Sequence, residues 1–422
     1  MNARAELDIC YAGDPELLPV AEANRRIIAH TPVIEHTELV PLNAALNRIL
    51  AEDLRAPHDV PNHTNAAVDG FAYRHADVER LGPGVVTLPV LGTAYAGRPF
   101  QGRLSAAQAV RIMTGAMLPE GADTVIMQEQ VESDTDSVRI DRPVASGANV
   151  RHAGEDLRAG TVVLRTGMRL MPAELGLLAS LGHAHARVFR RPRVAFFSTG
   201  DELRSIGEPL TAGEVYDSNR YTLRGMLNRL DVEVFDLGVV RDEPEQIEAT
   251  FRRAASMADV VLSSGGVSTG EADYVKQTLE SMGQVGFWKI AIRPGRPLAF
   301  GRLGDAVFFG LPGNPVAVMV TFYEFVQPAL RRMMGERDPR PTPLVRARCV
   351  STLRKKPGRV EYYRAVLERD EHDELVVRTT GRTGSGLLHT MSDANCFIVL
   401  AEACESLEPG SWVDVHPFFG LV

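Results

Sequence analysis

The stretch Ser263-Ser264-Gly265-Gly266-Val267-Ser268-Thr269-Gly270 combines three glycines with four hydroxyl side chains. It follows the apolar run DVVL and precedes a helical pattern, so a helix N-terminus turns toward the same place. Close backbone approach, hydroxyl donors and a helix start are the parts of an oxyanion cradle. No Gly-Lys-Ser/Thr follows, so this is not a Walker loop. The plain alternative is a tight strand-to-helix turn. Acids recur at comparable places. Asp201 and Glu202 follow VAFFS together with Thr199 and Gly200, Asp242 follows VEVFDLGVV, and Asp273 stands at a helix start. The cations Lys289, Arg293 and Arg296 surround the end of GFWKIAI, and Pro312 to Pro315 follow AVFFG. Acids beside a phosphate cradle suggest Mg²⁺ held by one or two carboxylates plus phosphate oxygens. Cations there suggest an anionic substrate. The plain alternative for any one charge is a surface salt bridge. Seven charges converging on one rim favour a site.

Strands that alternate with helices must position these groups. From Arg193 onward, apolar runs alternate with helical patterns over 218–230, 243–258, 272–282 and 315–334. That pattern predicts a parallel α/β sheet covered on both faces, with ligands bound beyond its carboxyl ends. Upstream, residues 14–55 read as helical, and Leu42, Ala45, Leu46, Ile49 and Leu50 would share one buried helix face. Residues 56–65, rich in Pro, His and Asn, read as a loop. Short runs broken by Gly and Pro over 85–142 predict a small β-rich unit. In the N-terminal loop before it, Asp69 ahead of Gly70 reads as a turn, and within it Met113-Thr114-Gly115 reads as a plain β-turn. Further short runs follow over 147–170. Pro172 opens a helix and Gly182 closes it. If 147–190 rejoins the first helical segment, the β unit is an insertion. Beyond a linker at 336–343, five short runs predict a small all-β C-terminal domain.

The 422 residues suffice for about three domains at roughly 150 residues each. Charged residues make up 24% and the hydrophobic set 45%, a globular composition that excludes collagen, low-complexity disorder and coiled coil. A net charge of −8 argues against general nucleic-acid or membrane binding. No run reaches the ~18 apolar residues of a membrane span. The first residues lack a secretory pattern, so a cytoplasmic location is expected. Cys10, Cys349, Cys396 and Cys404 form no CxxC pair and suit reduced thiols.

Taken together, NAAVDGFAYR, RIMTGAMLPEGADTVIMQE, RHAGEDLRAG, STGDEL, YDSNR, SSGGVSTGEADY, FWKIAIRPGRPLAF, GLPGNPVA, PGRVEYYRA and NCFIVL resemble, in this order, the molybdopterin molybdenumtransferases, that is, the bacterial MoeA proteins and the gephyrin E domain. The likeness runs from about residue 14 to 418. It implies insertion of molybdate into adenylyl-molybdopterin with release of AMP and a need for Mg²⁺. It also implies a multi-domain α/β plus β architecture: a discontinuous helical linker domain (10–58 and 146–190), an inserted β domain (59–145), a molybdopterin-binding α/β domain (191–338) and a C-terminal β barrel (339–422). The implied assembly is a homodimer in which Asp69 and Thr114 enter the partner's active site. The molybdopterin adenylyltransferase and recipient molybdoenzymes are further implied partners. By resemblance the functional acids fall on Asp69, Glu202, Asp242 and Asp273, with Asp242 and Asp273 on the metal. The loop from Ser263, Ser264, Gly265 and Gly266 to Ser268, with Thr199 and Gly200 beside it, would hold the molybdopterin phosphate. Lys289, Pro312 and Pro315 match, and Arg359 and Ser385 would meet the molybdate. Many relatives carry Lys-Pro-Gly-Lys where this chain has Arg293 and Arg296, a change from point charge to planar fork. The loop HDVPNHT also departs from the family's Pro-Phe-rich version. An enzyme of the CinA type would be expected to show Gly-Gly-x-Gly-Pro-Thr, an adenylyltransferase would be a single small domain, and a non-catalytic scaffold would be marked by loss of the rim acids.

Overall fold

The computed structural model describes residues 17–82, 84–266, 274–337, 343–381 and 384–418. The chain begins with helix α1 (Val20–His30), whose buried residues Val20, Ala23 and Ile27 repeat at i, i+3 and i+7. Three short strands follow: β1 (Thr37–Pro41), β2 (Leu54–Arg55) and β3 (Asn65–Ala66). The single helix expected over Leu42 to Leu50 does not form. Residues Leu42–Ala44 make one 3₁₀ turn, Asn47 adopts a left-handed φ of 65°, and Ile49 and Leu50 bridge to Arg169 and Val188. Their apolar spacing fits a helix, but pairing with the returning chain overrides it.

A six-stranded sheet then forms from β4 (Gly70–Tyr73), β5 (Val86–Ala94), β6 (Ala109–Ile112), β7 (Thr124–Met127), β8 (Glu132–Ser133) and β9 (Ser137–Ile140), ordered β7-β4-β6-β5-β9-β8. Helix α2 (His75–Arg80) lies between its first two strands in sequence. Gly70 opens β4 rather than forming an Asp-Gly turn. The chain returns through β10 (Val150–Arg151), β11 (Val162–Leu164) and β12 (His185–Phe189), which pair antiparallel with β3, β2 and β1. Helix α3 (Pro172–Ser180) starts at Pro172, and Gly182 follows it at φ 81°.

The α/β layer contains β13 (Arg193–Thr199), the β14–β15 ribbon (Leu203–Arg204, Val215–Tyr216), α4 (Ser218–Arg229), β16 (Glu233–Val240), α5 (Pro244–Met257), β17 (Val260–Ser264), α6 (Tyr274–Met282) and β18 (Gln284–Lys289). It continues with β19 (Ile292–Arg293), β20 (Pro297–Leu303), β21 (Ala306–Leu311) and α7 (Pro315–Thr321). The sheet order is β16-β13-β17-β21-β20-β18. It is not wholly parallel as predicted, because β20 runs antiparallel to both neighbours. The sequence reading did not single out β20, whose run RPLAFGRL folds back from β18 as a hairpin arm.

Both sheet faces are covered, which is why β13 reads as an unbroken apolar run. Val194 and Phe196 face α1, α4 and α7, while Ala195 and Phe197 face α5 and α6. Thus α1 packs against the α/β core although strand pairs separate the two in sequence. The helix expected over 315–334 is interrupted. A π turn at Phe322–Val326 joins α7 to α8 (Gln327–Met333). Pro328 lacks the amide hydrogen that a continuous ladder would use.

The C-terminal strands β22 (Val345–Cys349), β23 (Val360–Arg369), β24 (Leu375–Thr379), β25 (Cys396–Leu400) and β26 (Trp412–Pro417) close into a barrel in the order β23-β24-β22-β26-β25-β23. Helix α9 (His389–Ser392) precedes β25. Cys349, Cys396 and Cys404 are free thiols, and Cys10 lies outside the described residues. Among the described residues, no helix is long and apolar enough to cross a membrane.

Phe251 of α5 is fully buried between Phe197 and Phe308, with edge-to-face centroid distances of 5.1 and 5.5 Å. We expect Phe251→Ala to cost about 3–5 kcal/mol through the cavity it leaves. Urea unfolding followed by circular dichroism should show the α/β transition moving to lower denaturant.

Candidate functional site

The carboxyl ends of β16, β13, β17 and β21 share one rim, and the barrel covers it. Between them lies a cleft of about 1160 Å³. Its α/β wall includes Thr199, Gly200, Glu202, Asp242, Ser264, Gly265 and Gly266. The loop between β18 and β20 adds Arg293 and Arg296, and the turn after β21 adds Pro312. The barrel contributes Arg359 and Ser385. Twelve residues singled out in the sequence therefore converge. Asp273 and Ser268 lie outside the described residues.

The other five are elsewhere. Ser263 is fully buried at the end of β17 and does not reach the wall. Lys289 ends β18 with an exposed side chain and is not among the lining residues, and Pro315 starts α7 next to the Asn314 that does line the cleft. Asp69 and Thr114 sit on the β4–β6 sheet, outside this chain's cleft. They are nonetheless a matched pair. Asp69 Oδ1 accepts hydrogen bonds from the Thr114 amide and hydroxyl, both at 2.7 Å. Those two bonds hold the Asp69 carboxyl below its ordinary range. The Met113–Ala116 turn, closed by the Ala116 amide on the Met113 carbonyl, is what presents Thr114 to Asp69.

The cleft floor is a close contact of two backbones. Gly265 and Gly266 have φ values of 91° and 68°. A β-carbon on Gly265 would lie 2.6 Å from the Thr199 carbonyl oxygen, and one on Gly266 would lie 2.4 Å from Val275 Cγ2. The Gly265 amide is already used, since it donates to the Leu311 carbonyl. Thr199 Oγ1 is buried with no hydrogen-bond partner among the described residues. Asn219 reinforces this floor by donating to Ser264 Oγ at 3.0 Å and the Gly313 carbonyl at 2.7 Å. Sequence reasoning gave Asn219 no role, although YDSNR was among the family-like stretches.

Charge divides the cleft. Burial, then the charges of Asp201 and Glu202, push the Asp242 carboxyl above its ordinary range. The acidic corner is therefore short of positive charge. Among the described residues no three metal-binding side chains converge as a closed metal site. That donor set fits a hard divalent cation completed by a ligand's phosphate oxygens better than a cage made by protein alone. Opposite stand Arg293, Arg296, Arg354, Arg359 and Arg364. The exception is Glu361, a buried carboxylate among these cations that the sequence reading also passed over. Arg293 Nη1 is 3.5 Å from it, and the Tyr363 hydroxyl is 3.0 Å away. Burial and then the Glu361 charge push the Tyr363 phenol up to about 12.

Comparison with known proteins gives three consecutive matches. Residues 18–182 match the MoeA N-terminal region (domain I and II), 195–332 a probable molybdopterin binding domain, and 346–418 the MoeA C-terminal region (domain IV). The chain is 43% identical to a molybdopterin molybdenumtransferase of Haemophilus influenzae, over 96% of this chain and all of that protein. It is 37% identical to one from a Nostoc species, over 92% of this chain and 91% of that one. A crystal structure of the molybdopterin biosynthesis MoeA protein from Pyrococcus horikoshii superposes with a TM-score of 0.83 at 30% identity, covering 95% of this chain and all of the other.

The close contact at the floor yields a paired test. Gly265→Ala should lower stability by about 1–3 kcal/mol, because both φ and space oppose a β-carbon. Gly313→Ala, which meets nothing within 4 Å, should stay within about 0.5 kcal/mol of the parent. Thermal melts of the two variants check the contrast.

Proposed function

The chain belongs to the molybdopterin molybdenumtransferase (MoeA) family, and from that premise we propose that its cleft takes adenylyl-molybdopterin and molybdate, releases AMP and leaves molybdenum on the dithiolene. One observation carries this reading above the others: a single cleft sets a glycine-hydroxyl floor and an acidic corner against a wall of arginines. A substrate with a pyrophosphate needs the first two, and an oxyanion needs the third.

Adenylyl-molybdopterin and molybdate are both anionic, so they repel each other strongly at low dielectric. Fixed cations around them reduce that repulsion. Arg293 and Arg296 reach the cleft from the rim and Arg359 from the barrel, so one anion can be held from two sides. Guanidinium groups suit this because their planar forks match oxyanion geometry. The Thr199 hydroxyl would donate to a phosphate oxygen. Asp242, with Asp273, would hold Mg²⁺, which would supply neutralisation of the charge that develops on the cleaved pyrophosphate. No cysteine is required, since the substrate carries its own sulfurs.

Asp69 and Thr114 support a homodimer with shared sites. Their hydrogen-bonded geometry is already set, yet they are not among the described residues that line the cleft of their own chain. Leu91, Tyr95 and Met117, which flank this region in sequence, are large exposed apolar residues. A second copy covering that surface would bring Asp69 to the partner's acidic corner. We further propose a cytoplasmic enzyme that receives its substrate from the adenylyltransferase and hands its product to molybdoenzymes.

Incubation with adenylyl-molybdopterin, molybdate and Mg²⁺ should release AMP, and AMP no faster than without enzyme would remove this reading. In the same assay Arg359→Ala should raise the half-saturating molybdate concentration about ten- to a hundred-fold, the worth of one charge-assisted contact. The half-saturating adenylyl-molybdopterin should stay unchanged. Sharing is tested separately. Mixing inactive Asp69→Ala chains with inactive Asp242→Ala chains should restore activity, because one of the two hybrid clefts carries neither lesion. Verified heterodimers that stay inactive would sink the shared site.

A further inference from the structure

Glu324 lies in the π turn and does not itself line the cleft. Its carboxylate joins three parts of the molecule. Asn24 Nδ2 of α1 donates to Oε1 at 2.8 Å, and the Tyr362 hydroxyl of β23 donates to Oε2 at 2.6 Å. An amide and a phenol hold it rather than a cation, and burial pushes its carboxyl above the ordinary range. Sinking a carboxylate without a counter-charge is costly. A hydrocarbon of equal size would dock the same elements with less penalty. The π turn inserts one extra residue in the helix and so re-aims this position. Tyr362 lies on the strand that carries Arg359, Glu361, Tyr363 and Arg364 to the cleft, and it lines the cleft itself.

We propose that Glu324 is a positioning residue: by holding Tyr362 and Asn24 together it fixes β23 against the α/β layer and so sets where the barrel arginines meet the oxyanion. The identity of that oxyanion rests on the function proposed above. The mechanical role does not. Two acceptor oxygens pointing to opposite elements define the distance between them, which an apolar contact would leave free to slide.

The test compares Glu324→Leu, Glu324→Gln and Asn24→Ala in the purified full-length protein. With AMP release as readout, Glu324→Leu should raise the half-saturating molybdate about tenfold or more, as expected for losing a hydrogen bond to a charged group. The half-saturating adenylyl-molybdopterin should change less than about twofold, near the resolution of such comparisons. Glu324→Gln keeps an acceptor for Tyr362 and should rescue most of the effect. Asn24→Ala, which touches nothing in the cleft, should shift molybdate in the same direction by a smaller factor. Hydrogen exchange is the second arm. In Glu324→Leu the amides of 360–364 should exchange faster, while those of β24 and β26 stay as in the parent. Equal acceleration across the whole barrel, or an unchanged molybdate requirement in folded Glu324→Leu, would overturn the proposal and leave Glu324 a stabilising residue only. If Glu324→Leu does not fold, the same two readouts on Glu324→Gln and Asn24→Ala decide it. If the parent itself releases no AMP, the functional reading fails and the exchange pattern still decides the positioning role.

Discussion

The pairing of β19 with β23 is the constraint on which the cleft depends. Ile292 is buried in the α/β core, yet its backbone stands opposite Val360 of the barrel, and Arg293 stands opposite Glu361. The Val360 amide donates to the Ala291 carbonyl at 2.8 Å. The rim loop thus pairs with the start of a barrel strand, although the barrel itself closes without it. Interfaces between domains of one chain ordinarily permit relative motion. A backbone ladder across the seam restrains it, because sliding would leave amide and carbonyl groups unpaired. It also explains why a cationic loop from one domain and arginines from another can address one small anion.

Glu361 makes sense in that setting. A buried carboxylate in an anion site is unfavourable unless it orders something else. Here it stands opposite Arg293 in register and approaches its guanidinium, while Arg293 remains about half exposed. The fixed partner is the acid and the mobile partner is the arginine. A long side chain that is already half-ordered loses less rotamer freedom when it grips a ligand. On the opposite wall the logic is reversed. Asp201 and Glu202 crowd Asp242 and raise its carboxyl, so that corner gains most from an incoming positive charge. The two walls ask for charges of opposite sign, and an anionic substrate that brings a cation with it satisfies both.

The α/β layer was legible in the sequence because its signals are local. An apolar run that ends in Gly, followed by helical spacing, identifies both the strand and its rim loop. That is how Thr199, Glu202, Asp242 and the Gly265–Gly266 floor were found. Four features were not legible. The strand β20 hides within RPLAFGRL, since a hairpin arm beside parallel strands has no distinct pattern. The Leu42–Leu50 spacing fits a helix, and bridges from Ile49 and Leu50 to the distant Arg169 and Val188 decide against it. Glu361 and Asn219 act through partners far away in the chain, which periodicity cannot register. Lys289 and Pro315 match by motif and are not among the residues that line the cleft.

The floor and the junction at Glu324 show two ways of fixing geometry. At Gly265 and Gly266 the chain removes side chains so that backbones touch, and position is set by repulsion at contact distance. At Glu324 it sinks a carboxylate between a helix and a barrel strand, and position is set by directional hydrogen bonds. The choice follows from what each must hold. The floor lies within one sheet, where strand pairing already supplies the register and only close approach is missing. The junction joins three elements that share no sheet at that point, so packing alone would leave their separation adjustable. A directional polar contact costs stability through desolvation and returns a defined distance. That exchange would suit the proposed reaction, in which an oxyanion is placed beside a second anionic substrate, because Coulomb repulsion at low dielectric changes steeply over a fraction of an ångström.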